Sequence, residues 1–80
     1  MHGDDRYPIV VFWSDEDHAW LADVPDLTYC TADGDTPEEA LQEAVVARRL
    51  WLRVAREDGR VLPEPSVPMA LSNVHPARGR

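Results

Sequence analysis

Few residues in this chain belong to the types that carry out chemistry, and they are scattered. The single cysteine, Cys30, lies in an acidic stretch, and the three histidines stand at positions 2, 18 and 75. A nucleophilic cysteine needs a base and an electropositive setting, whereas neighbouring acids raise the pKa of a thiol. The histidines lack the spacing of zinc ligands. The sequence therefore predicts that Cys30 is a small, buried packing residue.

The acidic residues are the remaining candidates for a metal or catalytic site. Asp15, Glu16 and Asp17 form one run, and Asp23 and Asp26 lie on either side of a Val-Pro pair. Adjacent acids in a loop are more often solvated than bound to a cation. The sequence has no phosphate-binding glycine loop, and no serine has partners for a catalytic triad. We therefore predict a protein that is not an enzyme and has no metal or cofactor.

The charge of the chain is strongly asymmetric. The formal net charge is −7, and the first 35 residues carry nine acids against one arginine. Such a surface repels nucleic acid, whose binding depends on cationic contacts to phosphate, and it attracts a basic partner. The simpler interpretation is that the excess acid keeps a small domain soluble. Both interpretations stay open at this point.

Three apolar segments predict the strands of an antiparallel meander, over residues 7–13, 18–24 and 28–32. The first reads YPIVVFW, and its continuous apolar and β-branched character predicts a strand covered on both faces. The four polar residues after it have the length of a hairpin loop. In the third segment, alternation places Cys30 on one face and Tyr29 on the other.

The start of a helix is the clearest local signal. In the sequence Thr36-Pro37-Glu38-Glu39, Thr36 is the predicted N-cap, proline stands at the first helical position, and Glu39 can reach back to the Thr36 N–H. Gly59 is a plausible stop signal. The pattern predicts a helix over residues 37–57.

The predicted helix has more apolar surface than one sheet can cover. An apolar stripe of about 100° suffices to face one core, and the surplus at Val46, Leu50 and Val54 predicts a second contact surface. Arg48 falls inside the apolar arc, where it either extends to solvent or pairs with a carboxylate on the sheet.

The element order β-β-β-α predicts a two-layer α+β fold, a three-stranded meander with one long helix across it. We expect residues 1–5 to be flexible, residues 6–66 to form the domain, and residues 67–80 to be a proline-rich tail. Within the tail, residues 67–71 allow a short fourth strand at a sheet edge, and residues 75–80 are expected to fray. We detect no signal peptide and no apolar stretch near 18 residues, so a cytoplasmic protein is expected.

Three tryptophans are many for 80 residues. Core packing explains them most simply, but Trp and Arg also dominate interface hot spots. Arg48, Trp51 and an exposed Tyr29 would together form an interface cluster, while strand-side acids would steer a basic partner. The candidate interface residues are Asp15, Glu16, Asp17, Asp23, Asp26, Tyr29, Asp33, Arg48 and Trp51.

These motifs occur in a familiar order. The run YPIVVFW, an acidic hairpin, AWLADVPDL, a cysteine, GDTPEEALQEAVVARRLWL and an LPEPS tail together resemble the HicB-like antitoxin domain, over roughly residues 6–66. The resemblance implies a degraded ribonuclease H-like β-β-β-α-β fold that binds and blocks a small basic HicA toxin, an mRNA interferase. It also implies homodimers or homotetramers.

The chain departs from the family pattern in two places. Relatives commonly have Pro-Gly before the cysteine, whereas this chain has Thr28-Tyr29. Because tyrosine adopts positive φ only at a cost, we expect an extended backbone there, with the Tyr29 ring exposed or at an interface. Many relatives also carry a C-terminal DNA-binding domain, and the last twenty residues here are too short and proline-rich for one. Direct DNA binding is therefore not expected.

Three functions remain in order of preference. The first is an antitoxin-like module that neutralises a HicA-type toxin. The second is an orphan homo-oligomeric regulator or adaptor without a toxin. The third, far behind, is a small metal-dependent nuclease, because two-metal catalysis needs inward carboxylates close together and the first strand has none.

Overall fold

A computed structural model describes residues 3–66 of the chain, without the side chain of Asp4. The fourth strand expected over residues 67–71, the frayed end, His2 and His75 lie outside the described residues. The described part contains a short 3-10 turn (Gly3–Arg6), three strands, β1 (Val10–Ser14), β2 (Ala19–Asp23) and β3 (Thr31–Gly34), and one helix, α1 (Pro37–Glu57).

The three strands form one antiparallel sheet in the order β1-β2-β3, and α1 crosses one of its faces. Val11, Ala22 and Ala32 form one row across the sheet, and Trp13, Trp20 and Gly34 form the next. Both rows face the helix, because Ala22 and its neighbours pack against Ala40 and Ala44. The predicted α+β meander with one long helix is confirmed.

The N-terminus of α1 is capped as the sequence predicts, with one difference. The Thr36 Oγ1 accepts the Glu39 N–H at 3.1 Å. The Glu39 carboxylate accepts the N–H of Asp35, at 2.9 Å, rather than that of Thr36, so the side chain reaches one residue further back than predicted. The first bond satisfies an N–H of the first turn, which the helix itself cannot satisfy. The second bond holds the Glu39 side chain against the residue that precedes Thr36.

The C-terminus of α1 ends in a Schellman motif. Gly59 has a φ of +73°, which glycine adopts without a side-chain clash. The Gly59 N–H donates to the Arg56 carbonyl at 3.0 Å, and the Arg60 N–H donates to the Ala55 carbonyl at 2.9 Å. These two bonds define the motif and confirm the predicted stop at Gly59.

The core consists of two neighbouring clusters with different packing. At the N-terminal half of α1, alanines meet the sheet, so the helix lies close to it. A Cβ at Gly34 would stand 2.6 Å from the Ala40 backbone nitrogen, so this contact requires glycine. At the C-terminal half, larger side chains fill the space, namely Tyr7, Val24, Leu27, Cys30 and Leu52.

The third strand begins three residues later than predicted, at Thr31. Residues 24–30 form a loop closed by its own bonds, Val24 N–H to Cys30 C=O and Cys30 N–H to Leu27 C=O, at 2.9 and 3.2 Å. Tyr29 has a φ of +59°, so the predicted extended backbone is wrong. A left-handed residue reverses the chain there and lets both Leu27 and Cys30 enter the core.

The prediction that the first strand is covered on both faces is also wrong. Val10 and Phe12 are exposed, because the described chain supplies one helix and that helix lies on the opposite face of the sheet. Periodicity cannot distinguish a strand buried on both faces from one that presents an apolar face to a partner.

Candidate protein-binding surface

The face of the sheet turned away from α1 has an apolar centre. Directly opposite residues in antiparallel strands share a face, and Val10, Phe12 and Leu21 lie together there through the Phe12–Leu21 pair. Phe12 is 43% exposed. We call Val10, Phe12, Leu21, Asp23, Thr31 and Asp33 the outer sheet face.

Acidic side chains flank this apolar centre. Asp23 pairs with Val10 on one side and with Thr31 on the other, while Asp33 pairs with Leu21. Asp17 lines the same shallow depression as Leu21 and Asp33. Three carboxylates therefore border an apolar patch, an arrangement that suits a partner with apolar contacts at its centre and cations around them.

The β1–β2 loop uses two of its acids to fix its own shape. The Asp15 carboxylate accepts the Trp13 indole N–H at 2.9 Å, and the Asp17 carboxylate accepts the Ser14 hydroxyl at 3.0 Å. Asp15, Glu16 and Asp17 are all exposed. The loop thus presents its negative charge to solvent on a defined backbone.

Asp26 has a structural partner. Its carboxylate accepts both the backbone N–H and the hydroxyl of Ser66, at 2.8 and 3.1 Å. Together with the bond from the Tyr7 hydroxyl to the Pro63 carbonyl, these two bonds hold the segment that follows α1 against Tyr7 and Asp26. Asp26 is therefore best understood as an anchor for that segment.

The predicted surface cluster of Arg48, Trp51 and Tyr29 is not assembled. Arg48 is buried and donates from Nη1 to the Tyr7 carbonyl at 2.6 Å. Its Nη2 lies 3.5 Å from the Asp5 carboxylate. The carboxylate that pairs with Arg48 thus belongs to the N-terminal turn and not to the sheet, and the guanidinium is absent from the surface near Tyr29.

Trp51 and Tyr29 do lie near each other. The Trp51 indole N–H donates to the Thr28 carbonyl at 2.9 Å, so the helix holds the loop that carries Tyr29. The Tyr29 ring is 96% exposed, which confirms the part of the prediction that concerned its exposure. Both side chains line one shallow groove with Leu50 and Val54.

Cys30 is a buried packing residue, as predicted. Burial is the main reason that the pKa of its thiol lies above the ordinary value, and the Asp23 carboxylate raises it further, while Arg48 acts in the opposite direction. A thiol held in its neutral form is a poor nucleophile. Cys30 therefore fills space between Val24, Leu27 and Leu52.

A second exposed apolar surface lies on α1. Val46, Leu50 and Val54 follow one another at a spacing of four residues and are all exposed. The wide apolar arc of the helix predicted this stripe, although none of the three residues was among the candidate interface residues. We call Val46, Leu50 and Val54 the helix flank.

Residues 3–66 show neither a metal-binding cluster nor a membrane-spanning segment. No group of three or more His, Cys, Asp or Glu side chains in this part of the chain is arranged to hold a metal ion. The one helix described here is too polar to cross a bilayer.

Sequence reasoning missed the apolar part of the outer sheet face. The missing signal was available in the element count, since one helix can cover only one face of a sheet. An apolar first strand beside a single helix therefore indicates an uncovered apolar face, where Val10 and Phe12 stand.

Comparisons with known proteins give two matches that bear on this surface. Residues 7–76 match the family model described as HicB_like antitoxin of bacterial toxin-antitoxin system. A UPF0150 protein of Synechocystis sp. is 38% identical over 58 residues, which cover 72% of this chain and 78% of that protein. No solved structure matches the chain significantly.

Proposed function

The chain belongs to the family of HicB-like antitoxins of bacterial toxin–antitoxin systems, and we propose that it neutralises a HicA-type mRNA interferase by binding it directly through the outer sheet face. The observation that carries this proposal is an apolar sheet face that residues 3–66 leave uncovered and that carboxylates border. Since such a toxin acts on mRNA, the pair would work in the cytoplasm.

Charge supports a basic partner. Asp17, Asp23 and Asp33 border the apolar centre, and the whole chain carries a net charge of −7. Complementary charge speeds association and fixes the relative orientation of two proteins, while buried apolar side chains supply much of the affinity. Phe12 and Leu21 would form the desolvated centre of the contact, and the three aspartates would form its polar rim.

Neutralisation then needs no chemistry from this chain. An mRNA interferase must bind RNA through cationic groups, and a carboxylate-rimmed surface competes for the same groups. The family indicates a non-enzymatic role, and we propose that the chain acts by occupying the toxin.

A toxin-rescue experiment tests the proposal. Where a small basic protein is encoded beside this chain's gene, that protein is expressed in a bacterial host, alone and together with this chain. We expect the wild-type chain to restore growth and to co-purify with the toxin, and Phe12→Glu to lose both properties. Growth arrest that the wild-type chain does not relieve would overturn the proposal.

Leu41→Glu is the matched control for Phe12→Glu. Leu41 is 42% exposed, nearly the same as Phe12 at 43%, but it lies on the helix, away from the outer sheet face. We expect this variant to rescue growth as the wild type does. Equal loss of rescue in both variants would show that the outer sheet face is not the binding surface.

Two alternatives predict other results. An orphan homo-oligomeric regulator would have no small basic reading frame beside its gene and would still self-associate, and the exposed helix flank favours this candidate over the other. A metal-dependent nuclease would cleave RNA in the presence of Mg²⁺ and would lose that activity in Asp23→Asn.

A further inference from the structure

Residues 3–66 leave the apolar centre of the outer sheet face in contact with solvent. Val10 is 47% exposed and Phe12 is 43% exposed, and α1 packs on the opposite face of the sheet. Soluble monomeric proteins rarely expose a contiguous apolar patch unless it is a site of interaction. A segment that lay on this face in the free chain would remove apolar surface from water, which is favourable.

The chain leaves the described residues at one end of this face. The Asp26 carboxylate accepts the backbone N–H and the hydroxyl of Ser66, at 2.8 and 3.1 Å. Asp26 comes shortly after Asp23, the last residue of β2, and Asp23 stands on the outer sheet face opposite Val10. Residues 67–80, which we call the tail, therefore begin close to the apolar centre.

The composition of the tail complements the outer sheet face. Val67, Met69 and Leu71 stand at alternate positions, so an extended backbone would place all three on one side. Arg78 and Arg80 follow, and the tail contains no acidic residue. An apolar stretch followed by cations matches an apolar centre that carboxylates border.

We infer that the tail folds back over the outer sheet face in the free chain, with its apolar side chains on Phe12 and Leu21 and its arginines at Asp17 and Asp33. A partner that uses this face must then displace the tail. The contact itself does not depend on the proposed function, whereas its effect on toxin binding rests on it.

The tail is long enough to make this contact. Asp17 and Asp33 line one shallow depression with Leu21, and a five-residue strand such as β2 spans roughly 15 Å. An extended chain covers about 3.3 Å per residue, so the stretch from Ser66 to Arg78 can span roughly 40 Å. This reach also allows residues 67–71 to run along β1 before the chain crosses the face.

The exposed surface of α1 is a poorer site for the tail. Arg49 and Arg53 are exposed there and would meet Arg78 and Arg80 as like charges. Among the helix acids, the Glu39 carboxylate already accepts the Asp35 N–H. The outer sheet face, as we define it, includes two aspartates and no cation.

Cross-linking of the full chain tests the contact. The chain contains no lysine, so Arg78→Lys introduces a single side-chain amine, which a carbodiimide joins to a nearby carboxylate as an amide. The monomeric product is digested, and the linked peptides are identified by mass spectrometry. We expect position 78 to be joined to Asp17 or Asp33 within one chain.

Two comparisons make the cross-linking quantitative. Arg60→Lys is the control for the reaction, because the Arg60 Nε lies 3.9 Å from the Asp58 carboxylate and position 60 should be joined to Asp58 under the same conditions. Glu43 is the comparison for specificity, since it is exposed like Asp33 but lies on α1. Links from position 78 to Asp33 should be several times more frequent than links to Glu43.

The effect on toxin binding is tested with charge reversal in the tail. Because a docked tail lowers the fraction of chains that can bind, Arg78→Glu together with Arg80→Glu should lower the dissociation constant for the toxin by a factor of roughly three to ten, as expected when two exposed ion pairs are lost. Arg49→Glu together with Arg53→Glu changes the net charge equally and should give a smaller gain.

Three results would overturn the inference. Equal linking to Asp33 and Glu43 would show that the tail has no preferred site. Links only between two chains would exclude contact within one chain, and absence of links to the sheet acids while position 60 reacts with Asp58 would place the tail elsewhere. If the cross-link forms but neither the wild type nor the variants bind the toxin, the proposed function fails and the contact stands.

Discussion

Tyr29 holds a backbone conformation that costs a tyrosine free energy. Its φ of +59° lies in the left-handed region, where a side chain other than glycine costs about 1–2 kcal/mol. The ring is exposed, so its packing within the monomer recovers little of that cost. Strained residues of this kind cluster at functional sites, and Tyr29 lines an exposed groove with Leu50 and Val54.

Replacing Tyr29 by glycine is expected to stabilise the fold. The change removes the free-energy cost of the left-handed conformation, but glycine loses more conformational entropy on folding than tyrosine does. The first effect is the larger, so the free energy of unfolding should rise by up to about 1 kcal/mol. Urea denaturation followed by circular dichroism measures the change. It should be done at a concentration where each variant is monomeric.

Thr28→Gly is the control for that experiment. Thr28 is also exposed but does not have a positive φ, so glycine there should lower the free energy of unfolding by about 0.5–1 kcal/mol. If both variants are destabilised alike, Tyr29 is not strained in the folded state.

At the scale of elements, the boundaries that depend on neighbouring residues were predicted well, and those that depend on distant contacts were not. The bounds of α1 follow from Thr36, Pro37 and Gly59, whose effects act within one turn of the helix. The start of β3 depends instead on whether Leu27 and Cys30 can both reach the core, which is decided by Val24, Leu52 and the rest of the cluster. The residues next to Tyr29 in the sequence do not show which side chains reach the core, so they do not predict where β3 begins.

The outer sheet face illustrates the same limit. The period-two alternation of β2 is sufficient to place Trp20 and Ala22 on one face, as in the structure, but the exposure of Phe12 depends on how many layers cover the sheet. The predicted acidic residues Asp23 and Asp33 do lie on this face. Arg48, predicted as an interface residue together with Trp51 and Tyr29, is buried instead, where it contacts the Tyr7 carbonyl and the Asp5 carboxylate.

Thr36→Ala should destabilise the helix start. The Thr36 hydroxyl accepts the Glu39 N–H, and loss of an N-cap of this type costs about 1 kcal/mol. The measurement is the urea midpoint at constant m-value. Thr28→Ala removes an exposed hydroxyl that caps no helix and should change stability by less than about 0.5 kcal/mol; equal losses in the two variants would mean that the cap is energetically silent.

At the scale of the whole molecule, Arg48 joins the N-terminal segment to the helix. Its Nη1 donates to the Tyr7 carbonyl at 2.6 Å, and Tyr7 in turn reaches the Pro63 carbonyl beyond the helix. Arg48 thus connects the segment before β1 to α1. Tyr7 connects the same segment to the residues that follow α1. An 80-residue chain has a small core, so we expect such connections to contribute to its stability.

Arg48→Met tests this connection. Methionine keeps most of the apolar stem but removes the buried hydrogen bond from Nη1 to the Tyr7 carbonyl, so the free energy of unfolding should fall by about 1–3 kcal/mol. Asp5→Asn is the informative companion, because the Asp5 side chain is 82% exposed and an exposed ion pair contributes about 0–1 kcal/mol. A large loss in Arg48→Met with a small loss in Asp5→Asn would identify the backbone carbonyl as the important partner. A loss of similar size in both would assign the stability to the ion pair instead, and an unchanged Arg48→Met would show that the N-terminal segment is held by the apolar core alone.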